Sequence, residues 1–217
     1  MTMYRDIYQD LPSRVNAVWQ RAKEAPKKEN TDLRVTAMLM AAAAGFAMPF
    51  ENLRYERAGN KSNWDDHPAF HGRRQAQYKT SLKACNEFLK KPISECPGLA
   101  GASLLQCKEL RDIRDAAGSG KGHATVNTEK HDMRFALGIL RNALAHNNIV
   151  DVPDGANEIE KLAFFSKDHW CDSCGRKDGW NVLLISVNAF EQFLDAWFAL
   201  LQEPGSFVGA AAAVAND

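Results

Sequence analysis

Arg141, Asn142 and His146 fall within the six residues Arg141-Asn142-Ala143-Leu144-Ala145-His146, and their side chains carry the most pointed chemistry in the chain. A guanidinium stabilises charge that develops on a phosphate oxygen, because it is planar, always charged and offers paired donors. An imidazole ordinarily titrates near neutrality, so it can take a proton from one oxygen and return one to another. On a helix, Asn142 and His146 stand four residues apart and share a face, whereas Arg141 and His146 project about 140° apart round the axis. Taken by themselves these residues fit two readings. One is phosphate-directed acid–base chemistry, and the other is an exposed arginine with a histidine capping a helix end.

The remaining constellations are weaker. Cys171-Asp172-Ser173-Cys174, with His169 beside it, has the form of half a zinc knuckle. A structural zinc takes four protein ligands, so Cys96, Cys107, His123 or His131 would have to complete the set from elsewhere in the fold. A tight turn with incidental thiols accounts for Cys171 and Cys174 more simply, and no cofactor is expected. His67 and His71 are four apart, but Pro68 and Gly72 disfavour a helix between them. The stretch from Asp115 to Gly122 contains a Gly-Lys pair yet has Asp115 and Gly122 where a phosphate loop needs a glycine and a Ser/Thr. Gly-x-Ser-x-Gly is absent, so a serine nucleophile elbow has no sequence to stand on. From Arg73 to Lys91 six basic residues meet one acid, Glu87. Arg73, Arg74, Lys79 and Lys83 are therefore the local candidates for holding a phosphate backbone, although a solvated helix face gives the same pattern.

Helices must position these groups. The segment from Met133 to Asn148 places Met133, Ala136, Leu137, Leu140 and Leu144 on one stripe at helical spacing, so the fifth helix, about Glu129 to Asn147, buries that side. A first helix is expected from about Tyr4 to Glu24, with Leu11, Val15, Val18 and Ala22 on its apolar face. Asn30, Thr31 and Asp32 offer caps for a second, running towards Phe50 and kinked or ended by Pro49. A loop over 58–73, a third helix from about Gln75 to Leu89, and a fourth from Ala102 to Ala116 follow. Ile159 to Phe165 and Val182 to Val187 are expected as two strands. Phe190, Phe193, Leu194, Trp197, Phe198 and Leu201 mark a final amphipathic helix.

At 217 residues the chain suits one domain, and 45% hydrophobic with 25% charged residues is a globular rather than a disordered balance. The zero net charge hides an asymmetry: residues 1–150 hold 23 Lys/Arg against 16 Asp/Glu, and residues 151–217 hold 4 against 11. The longest apolar stretch, Val35 to Phe50, has only 16 residues, where a membrane span needs about 20. Met1 to Asp10 carries no secretory apolar run, and five cysteines without framework spacing suit reduced thiols. A cytoplasmic protein with no membrane contact is expected.

Arg141-Asn142-Ala143-Leu144-Ala145-His146 resembles the signature of the HEPN superfamily, an Arg, four to six residues, then a His near the end of a late helix. The polar Asn142 after the Arg is typical as well. The resemblance covers about residues 4–150 and the last helix, with only the short motif specific. It implies a mainly α fold, an HEPN-like antiparallel helical bundle with a small β-hairpin insertion (about 157–188) before the C-terminal helix. On that reading residues 1–203 form one domain and 204–217 a flexible tail. It further implies a metal-independent endoribonuclease in which Arg141, Asn142 and His146 are catalytic, with RNA as partner; the charge pattern makes Arg73, Arg74, Lys79 and Lys83 the residues expected to bind it. A homodimer with two motif helices facing one cleft is implied too, with an antitoxin or regulatory protein as a further partner if the chain is a toxin or phage-defence effector. The alternative is a non-catalytic HEPN module that binds a nucleotide or a partner protein.

Overall fold

The computed structural model describes residues 7–24, 33–57, 87–153, 158–168 and 179–202. The chain divides into two compact units, one made of Met1–Leu89 with Leu194–Asp217, the other of Lys90–Phe193.

In the first unit, helix α1 (Ile7–Glu24) packs against α2 (Arg34–Arg57). The alanine run in the middle of α2 is the best helix-forming composition available, and Met38, Ala41, Ala42 and Phe46 bury one side of it. The last helix of the chain passes into this unit at Leu194, and its Asp195 draws three donors together. Trp19 Nε1 donates to Asp195 Oδ1 at 3.0 Å, Gln20 Nε2 to the same oxygen at 2.9 Å, and Lys23 Nζ lies 2.7 Å from Oδ2. Pro49 neither ends α2 nor leaves its ladder short of a partner. Proline has no N–H, so the carbonyl four residues earlier, that of Gly45, loses its helical donor. Trp197 supplies the replacement, its buried Nε1–H donating to Gly45 O at 3.0 Å. The approach needs a glycine there, because a Cβ on Gly45 would stand 2.8 Å from the ring of Phe198.

The second unit is built on a sheet. Its strands are β1 (Ser103–Cys107), β2 (Ala124–Val126), β3 (Ile149–Pro153), β4 (Ile159–Asp168) and β5 (Gly179–Ser186), in the order β2-β1-β5-β4-β3 with every pairing antiparallel. Helix α3 (Asp112–Ser119) joins β1 to β2, α4 (Met133–His146) joins β2 to β3, and α5 (Val187–Gln202) follows β5. Alternate strand residues face opposite sides. Leu105, Cys107, Ala163, Phe165, Val182 and Leu184 form one core with Ile113, Ala116 and Ala117 of α3. Leu104, Phe164 and Leu183, one residue out of phase, are buried on the other side, where Phe164 meets Phe190 with ring centroids 4.8 Å apart. Helix α4 packs on β4 and β5.

This five-stranded antiparallel sheet overturns the mainly α, HEPN-like antiparallel helical bundle expected from the sequence. The strands foreseen at Ile159 and Val182 are not a hairpin insertion at about 157–188 but interior strands, with β5 paired to both β1 and β4. The physical cause lies mainly at 102–116, expected as a helix. Ser103–Cys107 pairs with β2 and β5, and a strand covered on both faces shows no alternation to betray it. The expected helix at Gln75–Leu89 falls outside the described residues up to 86, and so does the tail 204–217.

Candidate active site

Helix α4 owes its exact position to its two ends and one apolar side. At the N-terminus Asp132 is the cap, its Oδ1 accepting the Phe135 N–H at 3.1 Å. At the C-terminus Asn147 takes the left-handed conformation with φ 54°, and its N–H bonds Ala143 O. The Asn148 N–H reaches the same carbonyl at 2.8 Å, and β3 begins at Ile149. Asparagine tolerates that region of backbone space better than other side-chain-bearing residues. Met133, Ala136, Leu137, Ile139, Leu140 and Ala143 are buried. The stripe expected from spacing is therefore the packed side, with Leu144 only half-buried at its margin.

The candidate triplet of Arg141, Asn142 and His146 stands off that stripe. Arg141 and Asn142 are half-buried and His146 is exposed. Arg141 Nη1 donates to Asn142 Oδ1 at 3.0 Å, so the amide steers the guanidinium. His146 occupies the last turn, immediately before the left-handed Asn147. The arrangement offers a held cation and an accessible imidazole on one helix end, which suits contact with a phosphodiester. Arg134, which spacing alone did not single out, lies on the same side as Arg141. Seven residues of helix return to within about 20° of the starting direction, and that seven-residue repeat of arginine was the signal to read.

The other site candidates separate from these. Arg73, Arg74, Lys79, Lys83, His67, His71, His169, Cys171 and Cys174 lie outside the described residues. Cys96 and Cys107 are buried. Burial raises the Cys96 thiol, and burial followed by the carboxylate of Asp112 pushes Cys107 up to about 11. Both are neutral thiols at ordinary pH. Among the described residues no three His, Cys, Asp or Glu side chains gather as a metal site would require. No helix among them is long and apolar enough to cross a membrane.

A family model described as HEPN pEK499 p136 matches residues 1–205. No curated protein and no solved structure matches the chain. With the match running through both compact units, the chain belongs to the HEPN pEK499 p136 family.

Proposed function

We propose that this HEPN protein is an endoribonuclease that cuts RNA without a metal, using Arg141 and His146 with Asn142 as the orienting group. The supporting observation is that one end of α4 holds a guanidinium hydrogen-bonded to an amide and, one turn on, an exposed imidazole, while the opposite side of the helix is buried. In the reaction the 2′ oxygen attacks the adjacent phosphorus and the bond from phosphorus to the 5′ oxygen breaks. The 2′ proton passes to an imidazole, and a protonated imidazole delivers a proton to the departing 5′ oxygen. Arg141 stabilises the added charge on the phosphoryl oxygens. One chain supplies one such histidine, so a homodimer with two α4 ends facing one cleft completes the acid–base pair.

The test is incubation of the purified protein with bulk RNA in a chelator, followed by end-group analysis. Fragments with 2′,3′-cyclic phosphate and 5′-hydroxyl ends are expected. Intact RNA, or fragments with 5′-phosphate ends, would overturn this function.

A further inference from the structure

Helix α4 keeps one side open, and that side is basic from end to end. Arg134, Gly138, Arg141 and Ala145 succeed one another along it, none of them in the buried set. The 14 residues of the helix include Arg134, Arg141 and His146 and no Asp or Glu. The 3-10 turn Thr128–Lys130 leads into it, bringing an exposed Lys130 and then His131, whose ring lies 4.5 Å from that of Phe135 on the first turn. The acids at this end, Glu129 and Asp132, precede the helix, and Asp132 is engaged as its cap. Among the described residues neither Lys130 nor Arg134 is in an ion pair.

Gly138 stands midway along this side. A glycine within a helix is destabilising relative to alanine, and here a Cβ would meet nothing within 4 Å among the described residues. Packing among the described residues gives no reason for it. The bare backbone admits close approach from outside, between two arginines.

We propose that single-stranded RNA runs along this side of α4, from the Arg141–His146 end towards the helix N-terminus. Lys130 and Arg134 hold its phosphates, its backbone crosses Gly138, and one base stacks on the His131–Phe135 pair. This rests on the reading of the α4 end as an RNA-cleaving site and names the form of its substrate. Arg134 and Arg141 are about 10.5 Å apart along the axis, the rise of about three stacked nucleotides. A single strand fits because only an unpaired base is free to stack on an aromatic pair. Direct packing of this side on a second copy fits worse, since it sets arginine against arginine with no acid on either helix.

The experiment uses His146→Ala protein, expected to cut RNA at least about a hundredfold more slowly, and a fluorescent single-stranded RNA oligonucleotide titrated by anisotropy at several salt concentrations. Arg134→Gln combined with Lys130→Gln is expected to weaken binding about tenfold and to lower the salt slope by about 1.4, at about 0.7 per phosphate contact. Phe135→Leu should weaken binding at least about fivefold with the slope unchanged, as for a lost stack. Gly138→Glu should weaken it about tenfold at an unchanged melting temperature and mass. Affinity and slope unaltered in the Arg134/Lys130 and Gly138 variants would overturn the proposal. So would a Gly138→Glu protein that binds RNA normally but changes its oligomeric mass, since the side would then belong to a second copy. Cleavage by the parent protein keeps the two failures apart: a parent that cuts RNA beside variants that bind it normally refutes the track alone. A parent that cuts nothing beside variants that bind weakly refutes cleavage and leaves the track supported.

Discussion

Trp197 holds a place in α2 that the helix cannot hold for itself, and a double-mutant cycle with Pro49 reads that out. Its indole N–H is the donor to Gly45 O at 3.0 Å, a carbonyl that Pro49 deprives of its helical partner. Trp197→Phe strands this buried acceptor, at about 1–3 kcal/mol. It also trims a ring with no exposed surface, packed 5.7 Å from Phe46 and 5.9 Å from Phe88 by ring centroids. Packing loss brings the total to about 3–5 kcal/mol. Pro49→Ala restores an N–H that can bond Gly45 O along the helix. In that background Trp197→Phe keeps only its packing cost, so it should destabilise by about 1–3 kcal/mol less. Urea unfolding of the four proteins, followed by far-ultraviolet circular dichroism, gives the coupling. If the two substitutions add to within about 0.5 kcal/mol, as independent sites do, the carbonyl is not the link between them and the explanation fails.

Three further outcomes follow from the packing. Leu140→Ala removes a fully buried side chain from α4 and should cost about 2–5 kcal/mol in urea unfolding; a cost under about 0.5 kcal/mol would mean that side of α4 is not core. Asp195→Ala takes away the acceptor shared by Trp19, Gln20 and Lys23 and leaves the buried indole N–H of Trp19 unpaired. A loss of about 1–3 kcal/mol is expected, with Asp195→Asn milder because it keeps an acceptor. The Cys107 thiol, pushed up to about 11 by burial and Asp112, stays protonated at about pH 8, and iodoacetamide should leave it and the buried Cys96 unmodified in the folded protein. Rapid labelling of either in peptide maps would contradict their burial.

Sequence periodicity marked α1, α2, the helix carrying Arg141 and His146, and the two longest strands, because each has a strong one-sided or continuous apolar pattern. It failed where two signals were missing at once. Ser103-Leu104-Leu105-Gln106-Cys107 is buried on both faces, so it lacks strand alternation. The link Lys108-Glu109-Leu110-Arg111 has no Gly or Pro to separate it from α3, and strand, link and helix merged into one expected helix. Strand β2 is only 3 residues long. Strand β3 did carry a legible sign, Ile149-Val150-Asp151-Val152 directly after the helix, but it follows so closely on Asn147 that the helix masked it. The placement of the candidate site residues on one helix was easier to read than the fold. Arg141, Asn142 and His146 belong to one helix, so local spacing sets their relation, whereas a sheet depends on partners far along the chain. What spacing left out was the neighbouring Arg134 and the open Gly138, whose interest appears only once the exposed side of the helix is known.

RNA cleavage by His146→Ala and Arg141→Ala proteins in a chelator, measured against the parent at matched melting temperature and oligomeric mass, bears most directly on the proposed chemistry. Each substitution should slow cleavage at least about a hundredfold, the scale for losing an acid–base or charge-stabilising group. Asn142→Ala should lose less, since its amide acts through Arg141. A folded His146→Ala protein that cuts RNA as fast as the parent would contradict the assignment.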